Sequence, residues 1–485
     1  MIKKEKRRQD YLFQLIKTLN PNERRYFKLY GNIQPGEKRY MRLFDALENK
    51  TEYDSEELCK ELELSSSQLA DEKYYLNQVL LRSLRNFDDE AHIAIGVYNA
   101  IAETRALFNR GLYDYALVQA EKVLTKINKL EMYSIALDAI ALKQACLRRL
   151  SKFDELKKLD NEYALYRDRF TELFEMSQIN YAITELEQKR GNADEAKKLF
   201  ERPIFKKKPA GMRTFIVWFN LKCYAQILLH EDGVKWARFV RESVKYAAQN
   251  PQLLEINPLG YLYMYTDLAS AEAEIGQNEN AIVVIDKLLV LLEKPVPSAP
   301  KGEIESARLF SLYIKANALR RLKRYADACA LAKKVYDIKH LRSVYDQFSF
   351  SFEYAIDLMH CGLPALALDV INELLQTNTE ARSDYQQTLR ILLIMVQIDM
   401  ANYSLIPYLV KSTKIWFKRK KLINKEYDLF FKLAGNIAKA ENEKLREKAF
   451  DELLTTANSN KLVVLNYELD IRGWTLLRKQ KNTRN

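Results

Sequence analysis

The stretch Phe108-Asn-Arg-Gly111-Leu-Tyr113-Asp-Tyr-Ala116-Leu117-Val-Gln-Ala120-Glu-Lys-Val123-Leu124 ends one apolar-periodic segment, turns, and starts another. Gly111 suits a helix-ending position, where a left-handed backbone is cheap only without a side chain. Tyr113 can wedge between two helices, and Ala116 is small where helices must approach closely. Ala116, Ala120, Val123, Leu124 and Ile127 then share one helical face.

The frame Gly-x-Tyr-x-x-Ala recurs along the chain. It reads Gly111/Tyr113/Ala116, Ser151/Phe153/Leu156, Gly191/Ala193/Ala196, Asp232/Val234/Ala237, Gly276/Asn278/Ala281, Lys323/Tyr325/Ala328, Gly362/Pro364/Ala367, Ala401/Tyr403/Ile406 and, weakest, Ala440/Asn442/Leu445. The steps between frames are 40, 40, 41, 44, 47, 39, 39 and 39 residues. A period near 40 means helix pairs that cannot bury their faces alone and so stack on their neighbours. Three residues into the frame stands an acid in five of the nine units: Asp114, Asp154, Asp194, Glu279 and Glu443. There a carboxylate meets the positive end of the second helix, worth a few tenths of a kcal/mol each.

This pattern resembles the tetratricopeptide-repeat (TPR) family, whose central turn carries Gly-x-Tyr-x-x-Ala. The resemblance implies an all-α, right-handed α-solenoid of about nine TPR-like hairpins over residues 91–485, preceded by an N-terminal helical bundle over 1–90. It also implies a concave groove lined by the first helix of each pair, at positions thirteen, ten, six and three residues before the turn. Carried onto the frame, these are Tyr98, Arg105 and Phe108; Tyr181, Glu185 and Gln188; Phe219, Lys222 and Gln226; and Phe310, Tyr313, Asn317 and Arg320. Amides can pair a peptide backbone, guanidiniums a carboxylate, and aromatics supply contact area. The family's paired Lys and Asn clamp is not reproduced. A small helical module ahead of such an array is also similar in architecture to bacterial peptide-sensing regulators.

Composition agrees with this reading. The 485 residues hold 48% hydrophobic and 29% charged side chains, with only 13 Gly and 11 Pro. Few turn residues and long periodic segments point to a nearly all-helical, globular chain. The formal charge of +12 permits nucleic acid or an acidic partner without demanding either. Cys59, Cys146, Cys223, Cys329 and Cys361 are odd in number and lack metal-ligand spacing, so they read as small hydrophobes in a reducing compartment. Neither a signal-peptide core nor a run of about 18 apolar residues is present, so the expectation is a cytoplasmic protein without membrane insertion.

In the N-terminal module, Asn20-Pro21-Asn22-Glu23 and Ser65-x-x-Gln68 read as helix starts with reciprocal capping, and Asp54 as another cap. Residues 54–87 resemble a helix-turn-helix, with Ser66, Ser67 and Gln68 at the mouth of a recognition helix. Charge opposes that: residues 51–90 hold four basic against eleven acidic side chains, whereas residues 1–50 hold thirteen against six. A capping bundle is the preferred reading and a nucleic-acid-associated regulator the alternative. The discriminator is whether Ser66, Gln68 and Lys73 pack away or project beside Arg7, Arg8, Arg24 and Arg25.

Three interruptions are expected to bend the array: Glu201–Gly211, Asn250–Gly260 and Lys294–Gly302. Two basic clusters, Lys411–Lys421 with Trp416 and Phe417, and Arg478–Arg484, read as a solvated helix face and a frayed terminus. Catalysis finds no support. His92, His230, His340 and His360 are scattered, the adjacent His360 and Cys361 diverge on a helix, and no phosphate loop, zinc spacing or nucleophile elbow occurs. The expectation is a non-enzymatic scaffold without cofactor or metal that binds a protein or peptide.

Overall fold

Gly111, Ser151, Gly276, Lys323, Gly362 and Ala401 all sit at positive φ, between 58° and 81°. The computed structural model describes residues 10–32, 38–88, 93–189, 193–229, 232–294, 296, 299, 301–338, 344–376, 383–420, 425–459 and 461–482. At each of the six turns the left-handed residue donates to the carbonyl three residues back, and its successor to the carbonyl five back. Gly111 N–H reaches Phe108 O at 3.0 Å and Leu112 N–H reaches Leu107 O at 3.1 Å; Lys323 and Arg324 repeat this at 2.8 and 2.9 Å. This is the Schellman closure, which satisfies carbonyls the helix end would otherwise orphan. Ser151, Lys323 and Ala401 adopt it despite a Cβ cost of about 1–2 kcal/mol.

The frame alanines do what close approach requires: Ala116, Ala196, Ala237, Ala281, Ala328 and Ala367 are all buried. Two turns depart from the expectation. Asp232 has φ −60° and is an N-cap, its carboxylate accepting from Val234 and Lys235 N–H. An aspartate gains more there than at a left-handed position. In the weakest frame Asn442 caps the second helix and Leu445 is exposed rather than packed. Gly191 lies outside the described residues.

The chain divides into two compact units, Met1–Phe170 and Thr171–Asn485. The first holds α1 (Tyr11–Thr18), α2 (Pro21–Asn32), α3 (Arg39–Asn49), α4 (Ser55–Leu62), α5 (Ser66–Asp88), α6 (Ile93–Asn109), α7 (Tyr113–Leu130), α8 (Tyr133–Arg149) and the start of α9 (Phe153–Lys189). The second continues through α10 (Ala193–Phe200), α11 (Pro203–Lys206), α12 (Met212–Leu229), α13 (Gly233–Gln249), α14 (Gln252–Ile256), α15 (Pro258–Glu274), α16 (Asn278–Leu292), α17 (Lys301–Arg321) and α18 (Tyr325–Asp337). It ends with α19 (Val344–His360), α20 (Pro364–Gln376), α21 (Ser383–Asp399), α22 (Ile406–Arg419), α23 (Lys425–Lys439), α24 (Glu443–Asn458), α25 (Val463–Leu469) and α26 (Ile471–Asn482). No strand occurs among the described residues. The fold is a TPR-like α-solenoid: helix hairpins in series, closed by the recurring turn.

In the first unit, α1–α5 enclose a core of Ile16, Phe27, Leu43, Phe44, Leu58 and Leu76. The capping reading holds. Asn20 N–H donates to Glu23 Oε2 at 2.7 Å, while Asn20 Oδ1 accepts from Asn22 and Glu23. Ser65 N–H and Gln68 Oε1 pair at 2.9 Å, with Gln68 N–H returning to Ser65 Oγ. α9 runs unbroken for 37 residues through the place where one repeat would hand over to the next. No Gly or Pro stands between Phe153 and Lys189 to stop it.

In the second unit first helices pack on first helices: α15 on α17, α17 on α19, α19 on α21 and α21 on α23. The first two interruptions are single-turn helices, α11 and α14. Phe205 of α11 is buried, and Asn257 after α14 caps α15 ahead of Pro258. Pro295, Pro297 and Pro300 of the third lie outside the described residues.

The basic C-terminal tail is not frayed up to Asn482. Ile471, Trp474 and Thr475 of α26 are buried, and Arg478 pairs with Asp399 Oδ1 at 2.6 Å. A tryptophan buried against Phe450 outweighs the fraying tendency of a charged end. No helix among the described residues is long and apolar enough to cross a membrane.

Candidate functional site

Two adjoining cavities open on the first-helix face of the second unit. One, of about 570 Å³, takes Gln226 from α12, Phe310, Tyr313, Asn317 and Arg321 from α17, and Glu274 from α15 among its lining. The other, of about 540 Å³, shares Glu274, Asn317 and Arg321, and adds Arg320, Glu353 and the C-terminal Tyr467 and Asp470. The groove rule thus brings Gln226, Phe310, Tyr313, Asn317 and Arg320 together.

α17 builds this site by helical spacing. Phe310 and Tyr313 stack at 5.9 Å, and Tyr313 meets Phe350 of α19 at 4.9 Å. Burial, followed by the Glu353 charge, holds the Tyr313 phenol well above its usual range, so it is a neutral donor. Arg320 is buried and already satisfied. Its Nε donates to Asp357 Oδ1 at 2.6 Å, Nη1 to Glu353 Oε2 at 2.5 Å and Nη2 to Asn317 Oδ1 at 2.5 Å. Burial pushes the Asp357 carboxyl up to about 6, with the Arg320 charge opposing it. The guanidinium on the cavity wall is the neighbouring Arg321, exposed, donating to Ala273 O and to the Tyr467 hydroxyl.

The other expected groove residues stand elsewhere. Tyr98, Arg105 and Phe108 belong to the first unit. There Tyr98 is exposed, Arg105 pairs with Asp138 at 2.9 Å, and Phe108 packs on Tyr113 across the turn at 5.2 Å. In the second unit Tyr181 is exposed, and the Gln188 side chain lies outside the described residues. Phe219 is core. The Lys222 ammonium sits over the Phe205 ring at 4.2 Å and near Trp218, a cation–π seat.

Four residues that the groove rule passes over share one register, two before the turn residue: Glu274, Arg321, His360 and Asp399. Each touches the C-terminal segment. Tyr467 OH donates to Glu274 Oε2 at 3.1 Å and accepts from Arg321 at 2.8 Å. His360 Nε2 lies 3.4 Å from Asp470 O. Asp399 accepts from Trp474 Nε1 at 2.9 Å and from Arg478. Burial keeps the His360 imidazole below its ordinary pKa, and its ring stacks on Tyr325 at 4.8 Å. His92, His230 and His340 lie outside the described residues. The Cys361 thiol points at Tyr325 O, 3.3 Å away. The shared register was visible in the sequence; the partner 75 to 193 residues away was not.

At the helix-turn-helix-like segment, Ser66 and Gln68 are exposed, and Arg39 and Arg42 share a small cleft with Gln68. Lys73 is held by Asp10 and by Tyr53 OH, and Arg24 by Leu19 O. Arg7 and Arg8 lie outside the described residues. In the basic cluster of α22, Phe417 is buried and the Arg390 guanidinium lies over Trp416 at 4.6 Å, so neither ring is offered to a base.

No protein-family model matches the chain, and a search of curated proteins gives no match. Solved structures similar to it include TPR-like repeats of a kinesin light chain from Podosopora anserina, 17% identical, covering 39% of this chain and 92% of that one, TM-score 0.30. The apo form of RapI is 12% identical over 80% of this chain and 99% of its own, TM-score 0.38. The apo form of the quorum sensor NprR from B. thuringiensis is 11% identical over 84% and 93%, TM-score 0.31.

Proposed function

We propose that the chain is a non-enzymatic scaffold that binds a protein or peptide segment on the first-helix face of its second unit. One observation carries this: the paired cavities gather an amide (Gln226 of α12) with stacked aromatics (Phe310, Tyr313) and a guanidinium (Arg321) of α17, and α15 adds Glu274. Such a surface pairs peptide backbone, side chain and carboxylate at once. Arg320 holds the wall rigid and does not bind. The test is recovery of a partner by tagged protein from native lysate, with and without nuclease. A partner that survives nuclease and is lost from the Gln226→Ala/Phe310→Ala variant supports the scaffold; one retained by that variant refutes this site.

A nucleic-acid role for the N-terminal module keeps one observation in its favour, the cleft where Arg39 and Arg42 meet Gln68. Recovery that collapses on nuclease, and on Arg39→Gln/Arg42→Gln, would move the function there.

A further inference from the structure

The C-terminal segment lies along the array as a bound ligand would. The contacts of Tyr467, Asp470, Trp474 and Arg478 advance through successive repeats, while Glu468 accepts from Thr388 of α21 and the Val464 and Leu465 N–H groups donate to Glu426 of α23. Tyr467 engages Glu274 of α15 and Arg321 of α17, and the Arg321 guanidinium lies 4.8 Å from the phenol ring. Asp470 engages Lys323 at 2.5 Å, the Tyr325 hydroxyl at 2.7 Å, and His360 of α19 through its carbonyl. Trp474 and Arg478 engage Asp399 of α21. The segment positions 467, 470, 474 and 478 are spaced three, four and four apart across two helices: α25 ends at Leu469, Asp470 turns left-handed at φ 48°, and Trp474 and Arg478 belong to α26. The receiving residues on α15, α17, α19 and α21 share the single register two before each turn. A repeated register meeting regularly spaced side chains is how a solenoid reads a linear partner.

The chemistry is complementary. The face supplies an acid, cations and an acid in that order (Glu274, then Arg321 and Lys323, then Asp399). The segment answers with a phenol, a carboxylate and a guanidinium. Gly473 permits the close pass, because a Cβ there would collide with the Asp470 carboxylate and the Tyr325 hydroxyl.

Building on the scaffold reading, we propose that Tyr467–Arg478 is an internal ligand. The partner is then a segment of two short helices with a left-handed break between them, carrying an aromatic hydroxyl, an acid, an aromatic and a base at that spacing, and it takes the face by displacing α25 and α26.

The probe is a fluorescein-labelled synthetic peptide of residues 461–482, titrated by anisotropy into the full chain. Two proteins are compared: wild type, and Tyr467→Phe/Asp470→Asn/Arg478→Gln. Asn keeps the N-cap and the left-handed backbone at 470 while losing the charge. The peptide is expected to bind the triple variant at least tenfold more tightly than wild type. Adding Arg321→Gln and Asp399→Asn should abolish the gain. Equal affinity for both proteins, no binding by a folded triple variant, or indifference to Arg321 and Asp399 would each overturn the proposal. So would peptide capture only as a concentration-dependent dimer of the chain, which makes the segment an exchange element instead.

If the triple variant fails to fold, hydrogen exchange of the wild type decides. Amides of 463–482 should exchange at least tenfold faster than those of α19, and equal rates would overturn the proposal. This readout is independent of the Gln226/Phe310 variant, so failure of the internal ligand and failure of the scaffold reading are distinguishable.

Discussion

Replacing Arg320 by Met should destabilise the second unit by about 3–5 kcal/mol at pH 8, the usual cost of stripping one partner from a buried ion pair. The guanidinium is buried and bonds Asp357, Glu353 and Asn317 at 2.5–2.6 Å. A unit-charge pair about 4 Å apart is worth about 4 kcal/mol at an effective dielectric near 20. The variant would lose two such pairs and set two carboxylates against each other. Protonation limits the loss. Asp357, already pushed up to about 6 by burial, rises further without the cation and takes up a proton.

That fixes the sign of the pH dependence. A carboxyl with a folded pKa above its unfolded 3.8 contributes stability that is present below about pH 4 and lost as pH rises through the folded pKa. In wild type the loss falls between about pH 4 and 6; in the variant it extends to higher pH, because the cation that lowers the Asp357 pKa is gone. Urea denaturation followed by circular dichroism should therefore show a small deficit at pH 5 and the full one at pH 8. Arg320→Met combined with Glu353→Gln and Asp357→Leu should recover most of it. A deficit below about 1 kcal/mol at pH 8, or one equal at both pH values, would refute the reasoning.

Gly473→Ala should cost about 1–3 kcal/mol by overpacking. Hydrogen exchange should rise in 463–482 while α19 stays protected; an unchanged exchange profile would count against the close pass. Asp267 is pushed up to about 7 by burial, so its contribution is present below about pH 4 and lost as pH rises to about 7. The pKa gap is worth about 4 kcal/mol at its limit, and partial solvent access reduces this, so Asp267→Asn should add about 2 kcal/mol at pH 8 and nothing at pH 4 by the same denaturation assay. Ala401, at φ 59°, should gain about 1 kcal/mol as Gly, whereas Gly276→Ala should lose a similar amount; opposite shifts in thermal midpoint check both.

The recurring turn was legible because its signal is local. A left-handed residue, a small residue five places on and an acid between them write themselves into six or seven consecutive positions. The capping boxes at Asn20 and Ser65 were legible for the same reason. Asp232 was misread because the frame aligned it with Gly111, while its side chain prefers to accept from Val234 and Lys235. The groove list was legible in part. Helical spacing put Phe310, Tyr313 and Asn317 on one wall, but could not say that Arg320 turns inward to Asp357 while Arg321 faces the cavity. Tyr467 was out of reach of any local rule, since its partners Glu274 and Arg321 lie 193 and 146 residues away.

A solenoid needs a terminal cap, and α26 meets that need: Ile471 and Trp474 cover what α24 and its neighbours would expose. Capping accounts for only part of α25, whose Leu465 and Leu469 are buried in the same core and whose Val464 and Leu465 N–H groups donate to Glu426 of α23. Its outward side keeps Val463, Val464 and Tyr467 exposed. Its Tyr467 hydroxyl alone reaches α15 and α17, far up the array from Glu426 and Ala457, which others of its polar groups meet. Exposed hydrogen bonds and ion pairs contribute little net stability, so these contacts specify where the segment lies more than how firmly it holds. Holding energy and address are therefore separated along the segment. Leu469, Ile471 and Trp474 anchor it by burial, while Tyr467 and Asp470 choose the repeats it crosses. A terminal helix that only capped would have no use for an address.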